Sequence, residues 1–290
     1  MGHLRLIALA LLAAAAAPQP APAAGPPRRI CSVSLAGDEL LHLLVPPERV
    51  ACVSSFVDDR EVSNVAGVYP PGVPRLTARI EPVLAARPDL VLAAPWNDAA
   101  FLDLLRRTGV RSVLLPAPSD FAGIRAQVID LGRELGAPER AAEVAAEMDR
   151  TLGAVDRALA GLPDGSRPRV LSLAHLVVAG SGTTVDALIT RAGGRNAAAE
   201  ISGHRQLSIE RILAFDPDVL LLVHGLDPGQ ALEAYPLLRT TRAAREGRVI
   251  VMPARAVTTV TPFLARAADE LARRLHPERF ANVGPGARAR

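Results

Sequence analysis

Two stretches of the chain place the same acid at the same point: IEPVLAARPDLVL, from Ile80 to Leu92, and IERILAFDPDVLLL, from Ile209 to Leu222. In each, Glu81 or Glu210 is the second residue of a short helical pattern that Pro-Asp ends and an apolar strand follows. Ser208 is the expected N-cap of the second copy. A first-turn glutamate complements the helix dipole by about 0.3 to 1 kcal/mol and needs no further role. Two equivalent acids on equivalent helices nevertheless form a matched pair. Beyond this pair, the groups able to do chemistry are suited to binding. Trp96, the sole tryptophan, and Phe56 offer flat apolar faces. Arg205 and Arg255 could hold anionic oxygens by charge-assisted hydrogen bonds, while His175, His204 and His224 could donate or accept. Each has a plainer use: the tryptophan capping a loop, the histidines bonding within theirs.

Reactive constellations are missing from the sequence. It contains no GxSxG, HExxH, P-loop or GxGxxG motif, and AGSGTT has too few glycines to cradle a phosphate convincingly. There is no lysine, which excludes Schiff-base chemistry on that side chain. The six histidines are scattered and do not form a metal-ligand pattern. Cys31 and Cys52, the only cysteines, lie at comparable depths in the first two predicted strands. A disulfide between them requires an oxidising compartment and Cα atoms within about 7 Å; two buried free thiols are the alternative.

The elements that must position these groups follow an α/β alternation. ICSVSL, VACVSS, DLVLAA and SVLLPA are compact apolar strands, with helical patterns such as DELLHLL and AAFLDLLRRTG between them. The same alternation restarts after residue 167 with RVLSLAHL, DVLLLV and RVIVMPA as strands and TTVDALITRAGG as a helix. This predicts two Rossmann-like lobes, residues 28–137 and 167–282, each built on a parallel sheet. Between them, residues 138–162 carry one apolar stripe at helical spacing, which predicts a rigid connecting helix of about 36 Å. The ligand cleft of such a fold lies between the lobes, at loops following the strands.

The 290 residues suffice for two cores, and 33 basic against 30 acidic side chains give a net charge of +3 without a long basic run, so nothing points to nucleic acid. The first 24 residues, a basic start, the apolar run LIALALLAAAAA and then PQPAPAA, predict a signal peptide cleaved after Ala24. No cysteine closes the apolar run, so the expected product is secreted without a lipid anchor.

Taken in order, RICSVSLAGDELLHLL, TARIEPVLAARPDLVL, GTTVDALITRAGGRN, QLSIERILAFDPDVLLL and REGRVIVMPA resemble the class III periplasmic substrate-binding proteins of ABC importers over nearly all of residues 28–280. That family holds cobalamin, ferric siderophores or haem between two lobes spanned by a long helix. The resemblance implies a monomeric periplasmic carrier that is not an enzyme and needs no intrinsic cofactor. It implies that Glu81 and Glu210 meet arginines of the membrane permease. Trp96 and SSFVDD with Phe56 match aromatic cleft positions of the cobalamin-binding members, where His204 replaces a second tryptophan. Haem-binding members use a tyrosine close before the first docking glutamate, and here Tyr69 stands farther off. A corrinoid is therefore expected ahead of a ferric siderophore, with haem as the alternative. A secreted two-lobed glycosyltransferase is the rival from another class.

Overall fold

In the computed structural model, which describes residues 25–223 and 228–281, the alternation closes into two sheets. The predicted leader, residues 1–24, lies outside the described residues. The first sheet comprises β1 (Ile30–Ser32), β2 (Val50–Ser54), β3 (Arg75–Leu76), β4 (Leu90–Ala93) and β5 (Ser112–Leu114). Their order is β3-β2-β1-β4-β5, and all neighbours are parallel. The chain winds outward from β1 to one side and then to the other, which leaves a crevice beyond the C-terminal strand ends. Helices α1 (Leu35–Leu44), α2 (Ile80–Ala85), α3 (Ala99–Arg107) and α4 (Phe121–Glu134) accompany it. β1 is shorter than the ICSVSL run suggests because the Ser34 hydroxyl accepts from the Gly37 N–H and starts α1.

Cys31 and Cys52 stand opposite each other on β1 and β2, Cα atoms 4.5 Å apart, and are joined as a disulfide. A register shift beside Cys31 brings these adjacent parallel strands into that alignment.

Helix α5 (Pro138–Ala158) serves both cores with one stripe. Ala141 and Val144 pack into the first core, and Met148, Leu152 and Val155 into the second. It is shorter than its apolar pattern predicts: Gly161, at φ +69, turns the chain while Leu159 and Leu162 stay buried. Its 21 residues span about 32 Å.

The second sheet contains β6 (Arg169–Ala174), β7 (Val177–Ala179), β8 (Arg195–Asn196), β9 (His204–Gln206), β10 (Val219–Val223) and β11 (Val249–Met252). The order is β11-β10-β6-β7-β9, with β8 also paired to β6. It is mixed, which corrects the expectation of a wholly parallel sheet: β7 runs antiparallel to both β6 and β9. The cause is local. His175, at φ +55, opens a two-residue turn that folds β7 back on β6. Helices α6 (Thr184–Arg191), α7 (Ile209–Leu213), α8 (Pro228–Ala234), α9 (Arg242–Arg245), α10 (Ala254–Val257), α11 (Phe263–Leu275) and α12 (Pro277–Phe280) complete this half.

Candidate functional site

A cavity of about 530 Å³ opens between the two halves. Leu35, Ala36, Glu39, Trp96 and Pro118 form one wall, and Thr183, Thr184, His204 and Thr258 to Val260 the other. Trp96 is placed by its neighbours. The Asn97 side chain accepts from the Ala94 N–H at 2.8 Å and donates to the Val33 carbonyl at 3.1 Å, and Asp98 then caps α3. Pinned on both sides, the turn presents the Trp96 side chain 55 % exposed at the cavity wall. His204 enters the opposite wall as the first residue of β9, paired with Ala179.

Phe56, Arg205, His175 and Arg255 are not gathered at this wall. Phe56, 62 % exposed in the turn after β2, is outside the cavity lining. Arg205 follows His204 on β9 and, by strand alternation, takes the opposite face. His175 sits in the β6–β7 turn, its Nδ1 3.4 Å from the Tyr235 hydroxyl. Arg255 is committed elsewhere: its Nη1 donates to the Arg60 carbonyl at 2.7 Å and its backbone N–H to the Glu61 carbonyl at 2.9 Å. His224 lies outside the described residues. Among the described residues no three His, Cys, Asp or Glu side chains converge to hold a metal ion.

Two buried acids of α1, Glu39 at the cavity wall and Asp38 beneath it, carry no site signature in the sequence. Glu39, only 1 % exposed, accepts from the Thr259 and Thr261 hydroxyls at 2.7 Å each, and from the Asn64 side-chain amide at 2.8 Å and its N–H at 3.2 Å. Asp38 accepts from the Ser54 N–H at 3.0 Å and the Ser54 hydroxyl at 2.5 Å. Burial pushes the Asp38 carboxyl up to about 6, against the downward pull of the Ser54 bonds. Burial likewise raises Glu39. Tyr69 donates its hydroxyl to the Asp38 carbonyl, and burial, together with the Asp38 charge, holds that phenol well above its ordinary range. The available signal was two adjacent acids, Asp38 and Glu39, inside the mostly apolar LAGDELLHLL helix.

A wider groove of about 1240 Å³ runs along the flank and shares Ser119, Gly182 and Thr183 with the cavity. Its charges are partly consumed internally, Arg191 pairing with Asp156 at 2.6 Å. The smaller cavity carries the exposed aromatic and is the better candidate site.

Glu81 and Glu210 are exposed in the first turns of α2 and α7. The Glu210 carboxyl is held below its ordinary range by its own backbone N–H and by Ser208. The duplication extends further than the sequence pattern indicated. Arg29, just before β1, donates to the Ala86 and Arg87 carbonyls at the end of α2, at 2.6 and 2.9 Å. Arg169, at the start of β6, donates to the Phe215 and Asp216 carbonyls after α7, at 2.9 and 3.1 Å. Asp89 and Asp218 return the contact by accepting the backbone N–H of Arg29 and Arg169. Arg87 and Asp216, matching positions of the repeat, both have positive φ, 49° and 34°.

Two α/β lobes sharing one long helix around a cleft with an exposed aromatic define a two-lobed binding protein. The sequence pattern of the Periplasmic binding protein family matches residues 30–256, and the chain belongs to that family. It is 28% identical over 259 residues to a cobalamin-binding protein of Halobacterium salinarum, an alignment covering 86% of this chain and 70% of that protein. A Bacillus subtilis protein, the uncharacterized ABC transporter substrate-binding lipoprotein YvrC, is 22% identical over 261 residues, covering 88% and 82%. Among solved structures, the periplasmic heme-binding protein RhuT of Roseiflexus superposes with a TM-score of 0.72 at 27% identity, covering 87% of this chain and 99% of that one.

Proposed function

We propose that this chain is the periplasmic substrate-binding component of an ABC importer and that its cleft takes a corrinoid. The cavity wall offers an exposed tryptophan, a histidine, threonine hydroxyls and the bonded Glu39 carboxylate, and among the described residues it has no arginine. An anionic ferric siderophore, or the carboxylates of haem, would call for fixed cations in the cleft. Arg255 is bonded to Arg60, and Arg205 is outside the lining. A corrinoid instead offers a broad apolar face and a rim of neutral amides, which suit Trp96 on one side and hydroxyls with His204 on the other. The cobalamin-binding relative supports the same reading.

In this reading the lobes are residues 28–137 and 167–282, the protein is a monomer without a reaction or resident cofactor of its own, and Glu81 and Glu210 face the permease. Haem is the second reading, favoured by His204 at the wall as a possible iron ligand and by the likeness to a heme-binding protein. Titrating the apo protein with cyanocobalamin while following Trp96 fluorescence should show saturable quenching at micromolar concentrations. Trp96→Ala should weaken the affinity, measured by calorimetry, by roughly tenfold or more. No response to cyanocobalamin, with a Soret shift on adding haem, would move the ligand to haem.

A further inference from the structure

We propose that Glu39 is the centre of a clasp that ties the two lobes together along one edge of the cleft, so that ligand enters and leaves only past Trp96 and His204. Glu39 belongs to α1 of the first lobe, and one of its oxygens receives Asn64 of the same lobe. The other oxygen receives two hydroxyls, Thr259 and Thr261, from the segment following β11 of the second lobe. Asn64 uses its amide a second time, donating to the Arg255 carbonyl at 2.7 Å. Arg255 then donates twice to the loop containing Asn64, to the Arg60 and Glu61 carbonyls.

Apolar contact follows the same line. Val260 and Phe263, from the second half of the chain, pack against the core of the first lobe. The segment runs directly into α11, which packs along α5 with Arg266 paired to Glu147, so the clasp extends the attachment made by the long helix. Along the opposite edge, among the described residues, no hydrogen bond or ion pair joins residues 94–119 to residues 180–206, although Trp96, Pro118, Thr183 and His204 face one cavity; the lobes meet on that side only beyond the cavity, where Phe121 and Ile124 of α4 enter the second core and the Arg191 guanidinium lies over the Phe121 ring. An asymmetric attachment of this kind permits rocking that opens the Trp96 edge and resists separation at the Glu39 edge.

A buried carboxylate with four donors is costly to unclasp, since each lost bond leaves a desolvated charge. Glu39 is therefore a positioning residue: by bonding Thr259 and Thr261 it anchors the segment that supplies Thr258, Thr259 and Val260 to the cavity wall. The clasp is independent of which ligand the cleft takes.

Spin labels on Arg107→Cys and Glu246→Cys, exposed sites on the two lobes, would report the interlobe distance distribution in the apo protein. The native protein should give one narrow distribution. The pair Thr259→Val with Thr261→Val removes two donors at nearly constant volume and should raise the separated population by about tenfold. Arg255→Ala, which spares Glu39 and its partners, should broaden the distribution to a lesser degree. As a control for instability alone, Val128→Ala in the first core should lower Tm without widening the distribution. Unchanged distributions in the threonine variant overturn the clasp. Should that variant fail to fold, an unchanged distribution in Arg255→Ala does so instead.

Discussion

Asp38 and Glu39 are sequence neighbours, both buried on α1, yet they are satisfied from opposite directions: Asp38 by Ser54 of β2, Glu39 largely by threonines of the other lobe. Asp38 has a direct consequence for stability. Its carboxyl ionises near pH 6 in the folded chain and near 3.8 in the unfolded one. Between those values the folded state holds the extra proton, so its contribution is fully present below about pH 4 and lost as pH rises through about 6. Two pH units correspond to about 3 kcal/mol, an upper figure for one buried group. Glu39 acts in the same direction, whereas Asp58 and Glu210, whose carboxyls are held low, act oppositely at more acidic pH. Asp38→Asn should therefore flatten the fall in urea-unfolding free energy between about pH 4 and pH 6.5. Parallel curves for the two proteins would show that Asp38 does not titrate with the fold.

At the scale of elements, what the sequence made legible was whatever a short window encodes. β4 and β10 are uninterrupted apolar runs and are buried at every position. α3 ends before Gly109, at φ +73, as its AAFLDLLRRTG pattern requires. The β7–β9 pairing was not legible, because three residues reading HRQ have no strand signature and the reversal depends on a non-glycine residue at positive φ. Trp96 could be placed in the cleft because it directly follows a recognisable strand. Glu39 could not, since its hydroxyl partners lie 220 and 222 residues away. The paired arginines Arg29 and Arg169 lie between these cases: the repeat was visible, but their bonds back to the ends of α2 and α7 are tertiary. They seat the helices that carry Glu81 and Glu210. Arg29→Ala should speed amide exchange over Val83 to Arg87 by roughly tenfold without altering exchange in β10, because removing a cap of about 1.4 kcal/mol loosens only that turn. Arg169→Ala should do the same after α7, and equal acceleration throughout the chain would mean that these arginines support the whole lobe instead.

At the scale of the molecule, the duplicated acids, the shared helix and the one-sided clasp belong to a single mechanical argument. In the proposed docking, two carboxylates, one on each lobe, would define the carrier's orientation as a single patch could not. Each pair with a permease arginine at a wet rim would be worth about 1 kcal/mol or less, so neither would grip the carrier alone. Their combined value would depend on the distance between lobes, whose range α5 and the proposed clasp limit. Replacing both, Glu81→Ala with Glu210→Ala, should leave ligand affinity and Tm nearly unchanged, since both side chains are exposed. Transport into vesicles and stimulation of the permease ATPase should fall by roughly tenfold at limiting carrier concentration. Reversal of both to arginine should be worse, because like charges then meet across the interface. Transport is to be measured beside a binding titration of the same proteins. Full transport by the double-alanine protein would reduce Glu81 and Glu210 to dipole-complementing helix starts, and the duplication to a consequence of building two lobes on one plan.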